Sequence, residues 1–476
     1  MSFTSLEFIF IFLPVCLAGY YLFPKRFRNY FLLAASLIFY AAGEPKRMYI
    51  LLLGIVVNYV VGLLLSVKYK ASFIRPLILV LSIAYNFGIL FYYKYLMARY
   101  GVSNVTLPLG LSFFTFRTVS YCLDVYWDMM PVNKNPAEVA LYISFFPQIS
   151  MGPISRYTDL IKEMRERSFD AGDFFEGIKR IIMGLFKKLV IADMLVPAID
   201  LCFGMEPSER SVSFAWLGLI AFLVQLYFDF MGYTDIAIGL GRLFGFHLPE
   251  NFDHPYAASS VTDFWNTWHM TLGAWVRSYI YIPIFRACQG KKFKKLTCYL
   301  LASLGVWLFM GAWHGVGTKM IFYSLYYYFL IAGERIVADR RKARRKKLGL
   351  GKASKTLPST IGAHVYLIVA VFFGQLLFKC ESMGQYGGYL KSLFGLAGNA
   401  LTQAETSFYL TQNLLPLAVG IICSFPVVPY ILDKLKAGGK ERMINILAPV
   451  IYGVMLVVSL AFAFTGTYRS FVYFQF

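Results

Sequence analysis

Long apolar runs separated by short basic clusters restrict what this chain can fold into. In the first hundred residues four such runs, near 5–24, 29–43, 48–67 and 77–97, alternate with Lys25, Arg26 and Arg28, with Lys46 and Arg47, and with Lys68, Lys70 and Arg75. About 20 apolar residues in a helix cross the ~30 Å hydrocarbon core of a bilayer, and in lipid each backbone group must be satisfied within the protein. The runs are therefore expected to be membrane-spanning helices. The 476 residues are 58% hydrophobic, 18% aromatic and only 15% charged, more apolar than a soluble domain can hide from water. The first run lacks a basic segment before it and a small-residue cleavage site after it, so it is expected to stay as a helix.

A net charge of +20 would suit nucleic acid in a soluble protein. Here the Lys and Arg residues punctuate apolar runs, and they read as topology signals and contacts with anionic membrane lipids, not as a nucleic-acid surface. The positive-inside rule puts the loops after the first and third runs in the cytoplasm and the N-terminus outside, with Lys46 and Arg47 a weaker opposing signal. Later apolar stretches lie at 269–286, 297–313, 319–337, 361–380, 407–432 and 443–466, with basic clusters at 291–295, 340–347 (RRKARRKK) and 434–442. If the last two clusters are cytoplasmic, 361–380 and 407–432 form a hairpin with an outer loop at 381–406, and the C-terminus is also outside. About ten to twelve crossings are expected. Between 108 and 250 the runs are broken by Pro147, Gly152, Pro153 and Gly232, which suggests re-entrant or interfacial helices. The segment 162–167 and the amphipathic run 173–188 are expected at the cytoplasmic surface. The seven cysteines show no Cys-x-x-Cys spacing and are expected to be buried thiols. No internal repeat marks the inverted halves common in transporters. One transmembrane domain is expected over 1–476, with N-terminal spans at 1–100, a core carrying the polar motifs at 101–340 and C-terminal spans at 341–476.

Polar clusters interrupt this apolar background at 108–124, 145–156 and 225–241, the last containing Asp229 and Asp235 and leading into Asn251-Phe-Asp-His-Pro-Tyr256. Gly and Pro breaks beside small hydroxyls and charges suit helices that line a polar cavity; they equally suit helix packing and loop capping. Next comes Asp263-Phe-Trp-Asn266-Thr-Trp268-His269, and later Trp313-His314-Gly315 at the end of an apolar run. Ionisable groups at membrane depth are costly and are functional candidates by default. An imidazole, with an ordinary pKa near about 6.5, can take a proton from a hydroxyl at neutral pH. Of the five histidines, His247 and His254 flank a loop and His364 opens a span, which suits interfacial or capping roles. His247 and His254 lack metal-ligand spacing and a carboxylate constellation, so no metal site is assigned. No glycine-rich loop of nucleotide-binding spacing is present.

In order along essentially the whole chain, Pro-Leu-Gly-Leu-Ser-Phe-Phe-Thr-Phe (108–116), Phe-Phe-Pro-Gln (145–148), Tyr-Phe-Asp-Phe-x-Gly-Tyr-x-Asp (227–235), Trp-x-x-Trp-His (265–269) and Trp-His-Gly (313–315) occur together. This set resembles the membrane-bound O-acyltransferase family, within it the alginate O-acetyltransferase branch. The resemblance implies an all-α polytopic fold around a central tunnel, with His314 as catalytic base and His269 as the second site histidine. Asn266 is a nearby polar candidate, and Trp268, Trp313, Asp229 and Asp235 are expected to line the substrate path. It implies acetyl-CoA as a cytoplasmic acyl donor, with no bound cofactor, in a bacterial plasma-membrane protein. A polysaccharide outside, such as alginate, another exopolysaccharide or peptidoglycan, would be acetylated through an extracytoplasmic SGNH-hydrolase-like transferase. The ending Tyr468-Arg-Ser-Phe-Val-Tyr473-Phe-Gln-Phe476 reads either as an aromatic interfacial anchor or, by the resemblance, as a tail whose Tyr473 hydroxyl relays the acyl group. D-alanyl transfer to teichoic acid is the alternative within the family. A membrane transporter and an assembly scaffold are the readings from other classes.

Overall fold

The computed structural model describes residues 2–100, 105–315, 317–350 and 356–465. Nearly all of them are helical, and the one isolated β-bridge pairs Phe252 with Trp268. Among the described residues, six helices are long and apolar enough to cross a membrane: Pro45–Leu65, Ile74–Tyr100, Val212–Leu243, Lys295–His314, Leu357–Lys379 and Glu441–Thr465. The pair Ala404–Gln412 and Leu414–Cys423, bent by 65°, makes a seventh if counted as one span. The first two apolar runs form the shorter helices Phe8–Leu22 and Arg28–Gly43.

Two sequence expectations change. The run 407–432 is not one straight span: it bends at Asn413, stops after Cys423, and resumes as a separate helix, Val427–Ala437, directly after Pro426. Conversely, the polar cluster at 225–241 breaks nothing. It lies inside one uninterrupted 32-residue helix, Val212–Leu243, with Asp235 met by Arg180 and Lys187 of another segment. All seven cysteines are free thiols, six of them buried and Cys423 half-buried.

The chain forms two compact units interleaved in sequence: one of Met1–Leu189, Phe230–Glu250 and Pro449–Phe476, the other of Val190–Asp229 and Asn251–Ala448. In the first unit the amphipathic helix Ala171–Phe186 crosses the later half of Val212–Leu243 at glycines. A Cβ on Gly184 would meet the Gly232 carbonyl, and one on Gly239 would meet that of Gly177. Small residues thus let two backbones touch, the device by which helices associate where apolar burial supplies no preference. That approach carries Arg180 and Lys187 to the buried Asp235, at 2.7 and 2.5 Å. Elsewhere in this unit Asn58 and Asn86 exchange amide hydrogen bonds of 2.8 and 3.0 Å, and the Thr118 hydroxyl donates to Asn86. The first polar cluster therefore includes a helix-packing device.

Candidate functional site

The second unit holds both motif histidines. Helix Val261–Thr267 starts at Ser260, whose hydroxyl accepts the Asp263 N–H at 3.0 Å. Two further backbone donors, Val261 N–H and Thr262 N–H, go to the carboxylate of Glu334 at 2.7 and 3.0 Å. An anion at a helix N-terminus satisfies orphan donors and meets the positive end of the dipole. Glu334, on the long helix Thr318–Lys347, thereby anchors the helix bearing Trp265 and Asn266.

After Thr267 the chain extends through Trp268, and a short antiparallel contact follows. Asp253 N–H donates to the Thr267 carbonyl at 3.0 Å and Met270 N–H to that of Asn251 at 2.9 Å. Between them His269 adopts a left-handed backbone, φ +47°, which costs a non-glycine residue about 1–3 kcal/mol unless its surroundings hold it. Asn251 does so: its side-chain oxygen lies 3.0 Å from His269 Nδ1 and accepts the Thr271 N–H at 3.2 Å and the Thr271 hydroxyl at 2.9 Å. His269 is buried and lies outside the six candidate spans. Burial holds its pKa well below the ordinary histidine value, because desolvation penalises the imidazolium.

His314 is the last residue of helix Lys295–His314, and three residues separate it from the next helix, Thr318–Lys347. The two form a hairpin whose close contact is at Gly311, where a Cβ would overlap Ser324 Oγ. The buried His314 ring meets Trp313, Phe378 and Tyr323 at centroid distances of 4.4, 5.1 and 5.8 Å. From Tyr323 the aromatic contact continues to Tyr327 at 5.1 Å, then to Trp307 at 5.3 Å and Trp265 at 4.9 Å. Trp265 packs on Phe264, which stacks on Trp268. The two histidine motifs, distant in sequence, are thus joined by one aromatic core.

Trp265 and Trp307 also floor a cavity of about 540 Å³ whose walls include Asn266, Arg277, Lys295 and Arg335. The expected run 269–286 forms one wall. It begins as helix at Met270 and continues to Gly290, with a π-helical turn at Arg277–Tyr281 that places both of those residues on the cavity. Such turns recur at functional sites because they re-aim side chains. The cavity is lined by both aromatic rings and cations, suited to a ligand with an apolar part and an anionic part.

This architecture can be set against known proteins. The sequence profile of the membrane-bound O-acyltransferase family matches residues 130–347. The probable alginate O-acetylase AlgI of Azotobacter vinelandii is 34% identical over 460 residues, covering 93% of this chain and 88% of that protein. This chain belongs to the membrane-bound O-acyltransferase family. It is an O-acyltransferase of the multi-pass membrane type. The peptidoglycan O-acetyltransferase of Helicobacter pylori is 30% identical over 448 residues, 84% of this chain and 81% of that protein. The teichoic acid D-alanyltransferase of Bacillus subtilis is 30% identical over a shorter stretch of 237 residues, 48% of this chain and 59% of that protein.

The sequence-selected residues of the acyltransferase are divided between the two units. His269, Trp268, Asn266, Trp313 and His314 belong to the second unit, as does the buried Asp229. Asp235 belongs to the first unit and is engaged by Arg180 and Lys187. Tyr473 lies outside the described residues. Among the described residues, no group of three or more His, Cys, Asp or Glu is arranged to hold a metal ion. The remaining histidines make local contacts: His247 with Glu163 and Asp173, His254 with Asp253, and His364 with the Ala258 carbonyl. Asn251, Glu334, Arg277 and Arg335 were not singled out by sequence reasoning. A signal existed for Glu334 and Arg335, charges inside the apolar run 319–337; Asn251 is recognisable only once its loop is paired with Trp268.

Proposed function

We propose that this enzyme takes an acetyl group from acetyl-CoA at the cytoplasmic face and delivers it to a hydroxyl on the outer side, for O-acetylation of an extracytoplasmic polysaccharide. The observation that carries this reading is an order of chemistry along one helix. Lys295, at the start of Lys295–His314, lines the cationic cavity; Trp307, further along, forms its floor; His314 ends the helix. Twenty residues at 1.5 Å each separate the ends by about 30 Å, roughly one hydrocarbon thickness. The clusters 291–295 and 340–347 lie at the Lys295 end of the hairpin, which the positive-inside rule assigns to the cytoplasm. Arg277, Lys295 and Arg335 suit the phosphates of coenzyme A, and the aromatic floor suits its thioester arm.

In the reaction, the acceptor hydroxyl oxygen attacks the thioester carbonyl carbon while the His314 imidazole takes its proton. The carbon–sulfur bond then breaks, and the thiolate recovers a proton from the imidazolium as free coenzyme A. A base of this kind contributes about 10²- to 10⁴-fold; holding donor and acceptor in register supplies more. His269, Asn266, Trp268 and Trp313 line the reaction path. Tyr473, in the tail, is the proposed first acceptor, from which an SGNH-hydrolase-like partner moves the group to polysaccharide. The names of the relatives that align over most of the chain support an acetyl group in preference to D-alanine.

Vesicles of known sidedness test this reading. Labelled acetyl-CoA presented only to the cytoplasmic face is expected to yield label on outer hydroxyls, and Arg277→Ala with Arg335→Ala to raise the donor KM more than it lowers kcat. Equal labelling from outer-face acetyl-CoA, or an unchanged donor KM, contradicts the proposed route.

A further inference from the structure

We propose that Asn251 is a positioning residue for the acyl transfer: its side-chain oxygen fixes His269 as the Nδ1–H tautomer and leaves the ring's lone pair on Nε2. The consequence for transfer rests on the functional reading above; the tautomer does not.

Three contacts decide the assignment. A backbone N–H can only donate, so the Asn251 side-chain atom 3.2 Å from Thr271 N is the carbonyl oxygen. Turning the amide over would set its NH₂ against that N–H. The Thr271 hydroxyl at 2.9 Å donates to the same oxygen. His269 Nδ1, 3.0 Å from it, must therefore also donate, since a carbonyl oxygen cannot. In the neutral imidazole the proton is then on Nδ1 and the basic electron pair on Nε2.

The backbone enforces the same arrangement. Asn251 accepts Met270 N–H through its own carbonyl at 2.9 Å, so main chain and side chain of one residue hold both the ring of the left-handed His269 and the two residues that follow it. Phe252, the next residue, bridges to Trp268. Ring rotation by 180° would exchange Nδ1 for a C–H and forfeit the bond to a buried acceptor. The amide thus does for His269 what a buried carboxylate does for a general-base histidine, orienting the ring and choosing its tautomer, while adding no charge to an apolar site.

The test is spectroscopic. With only five histidines in the chain, protein labelled with ¹³C and ¹⁵N at histidine gives few ring signals, and that of His269 is identified by its loss in His269→Gln. The wild type is expected to show Nδ1–H, as is Asn251→Asp, which keeps an acceptor in place. Asn251→Leu is expected to shift His269 toward Nε2–H and to lower kcat for acetyl transfer about 10²-fold with little change in donor KM; Asn251→Asp is expected to recover most of that loss. An Nε2–H wild-type signal overturns the tautomer assignment even if Asn251→Leu fails to fold. Wild-type kcat in Asn251→Leu overturns the positioning role. Full transfer by His269→Gln would instead remove His269 from the reaction path and overturn that part of the functional reading, leaving both the tautomer and the role of His314 intact.

Discussion

Asp235 and His269 are both buried polar side chains in stretches that read alike in sequence, aromatic-rich and punctuated by small residues. They are stabilised by opposite means. Asp235 meets two cations, Arg180 and Lys187, delivered by a helix that crosses at glycines. His269 meets the neutral amide of Asn251. A carboxylate clamped between cations has its charge neutralised and its geometry fixed, which suits architecture. An imidazole held at Nδ1 by a neutral acceptor keeps a definite proton on that nitrogen and the lone pair on the other, which suits proton transfer.

That contrast can be broken. Asp235→Ala leaves Lys187 without its anion and Arg180 with Glu250 alone; removing one partner of a buried ion pair costs about 3–5 kcal/mol, and the partial exposure of the two cations puts this site at the lower end. Thermal unfolding in detergent is expected to show a large loss; wild-type stability would mean that Asp235 is not the structural member of the pair. Glu334→Ala should cost less. It strips the carboxylate from Val261 N–H and Thr262 N–H, about 1–3 kcal/mol for buried donors left unmet, and loosens the helix leading to His269. Proteolysis near residues 258–262 should accelerate and kcat should fall; unchanged proteolysis would detach Glu334 from the site.

The smallest effect concerns His247, half-exposed between two carboxylates. Its pKa is raised from the usual 6.5, first by the hydrogen bond to Asp173 and then by Glu163, against a lowering by partial burial. Because the folded-state value is the higher one, the stabilisation is full below about 6.5 and is lost as pH rises through the raised value. Exposure and salt keep it small. Melting temperatures at about pH 5.5 and 8.5 are expected to differ less for His247→Gln than for the wild type; equal differences would mean that the pair contributes nothing.

Spans without Asp, Glu, Lys or Arg in their interiors were legible in the sequence. Runs expected at 48–67, 297–313, 361–380 and 443–466 match helices Pro45–Leu65, Lys295–His314, Leu357–Lys379 and Glu441–Thr465, because length and apolarity are local properties. Val212–Leu243 was not legible as one span, since Asp229, Gly232 and Asp235 look like interruptions until Arg180, Lys187 and Gly184 are brought to them. The site divides the same way. His269 and His314 stand out as imidazoles in apolar, aromatic surroundings, whereas Asn251 gains meaning only through a bridge between two loops. Glu334 likewise matters through a helix start more than 70 residues away.

The central claim is that an imidazole at the end of the Lys295–His314 helix removes the acceptor's proton. The direct measurement is acetyl incorporation into polysaccharide by membranes carrying His314→Ala, normalised to the inserted protein. Incorporation is expected to fall by at least about 10²-fold with insertion unchanged; wild-type incorporation at equal insertion would contradict the claim.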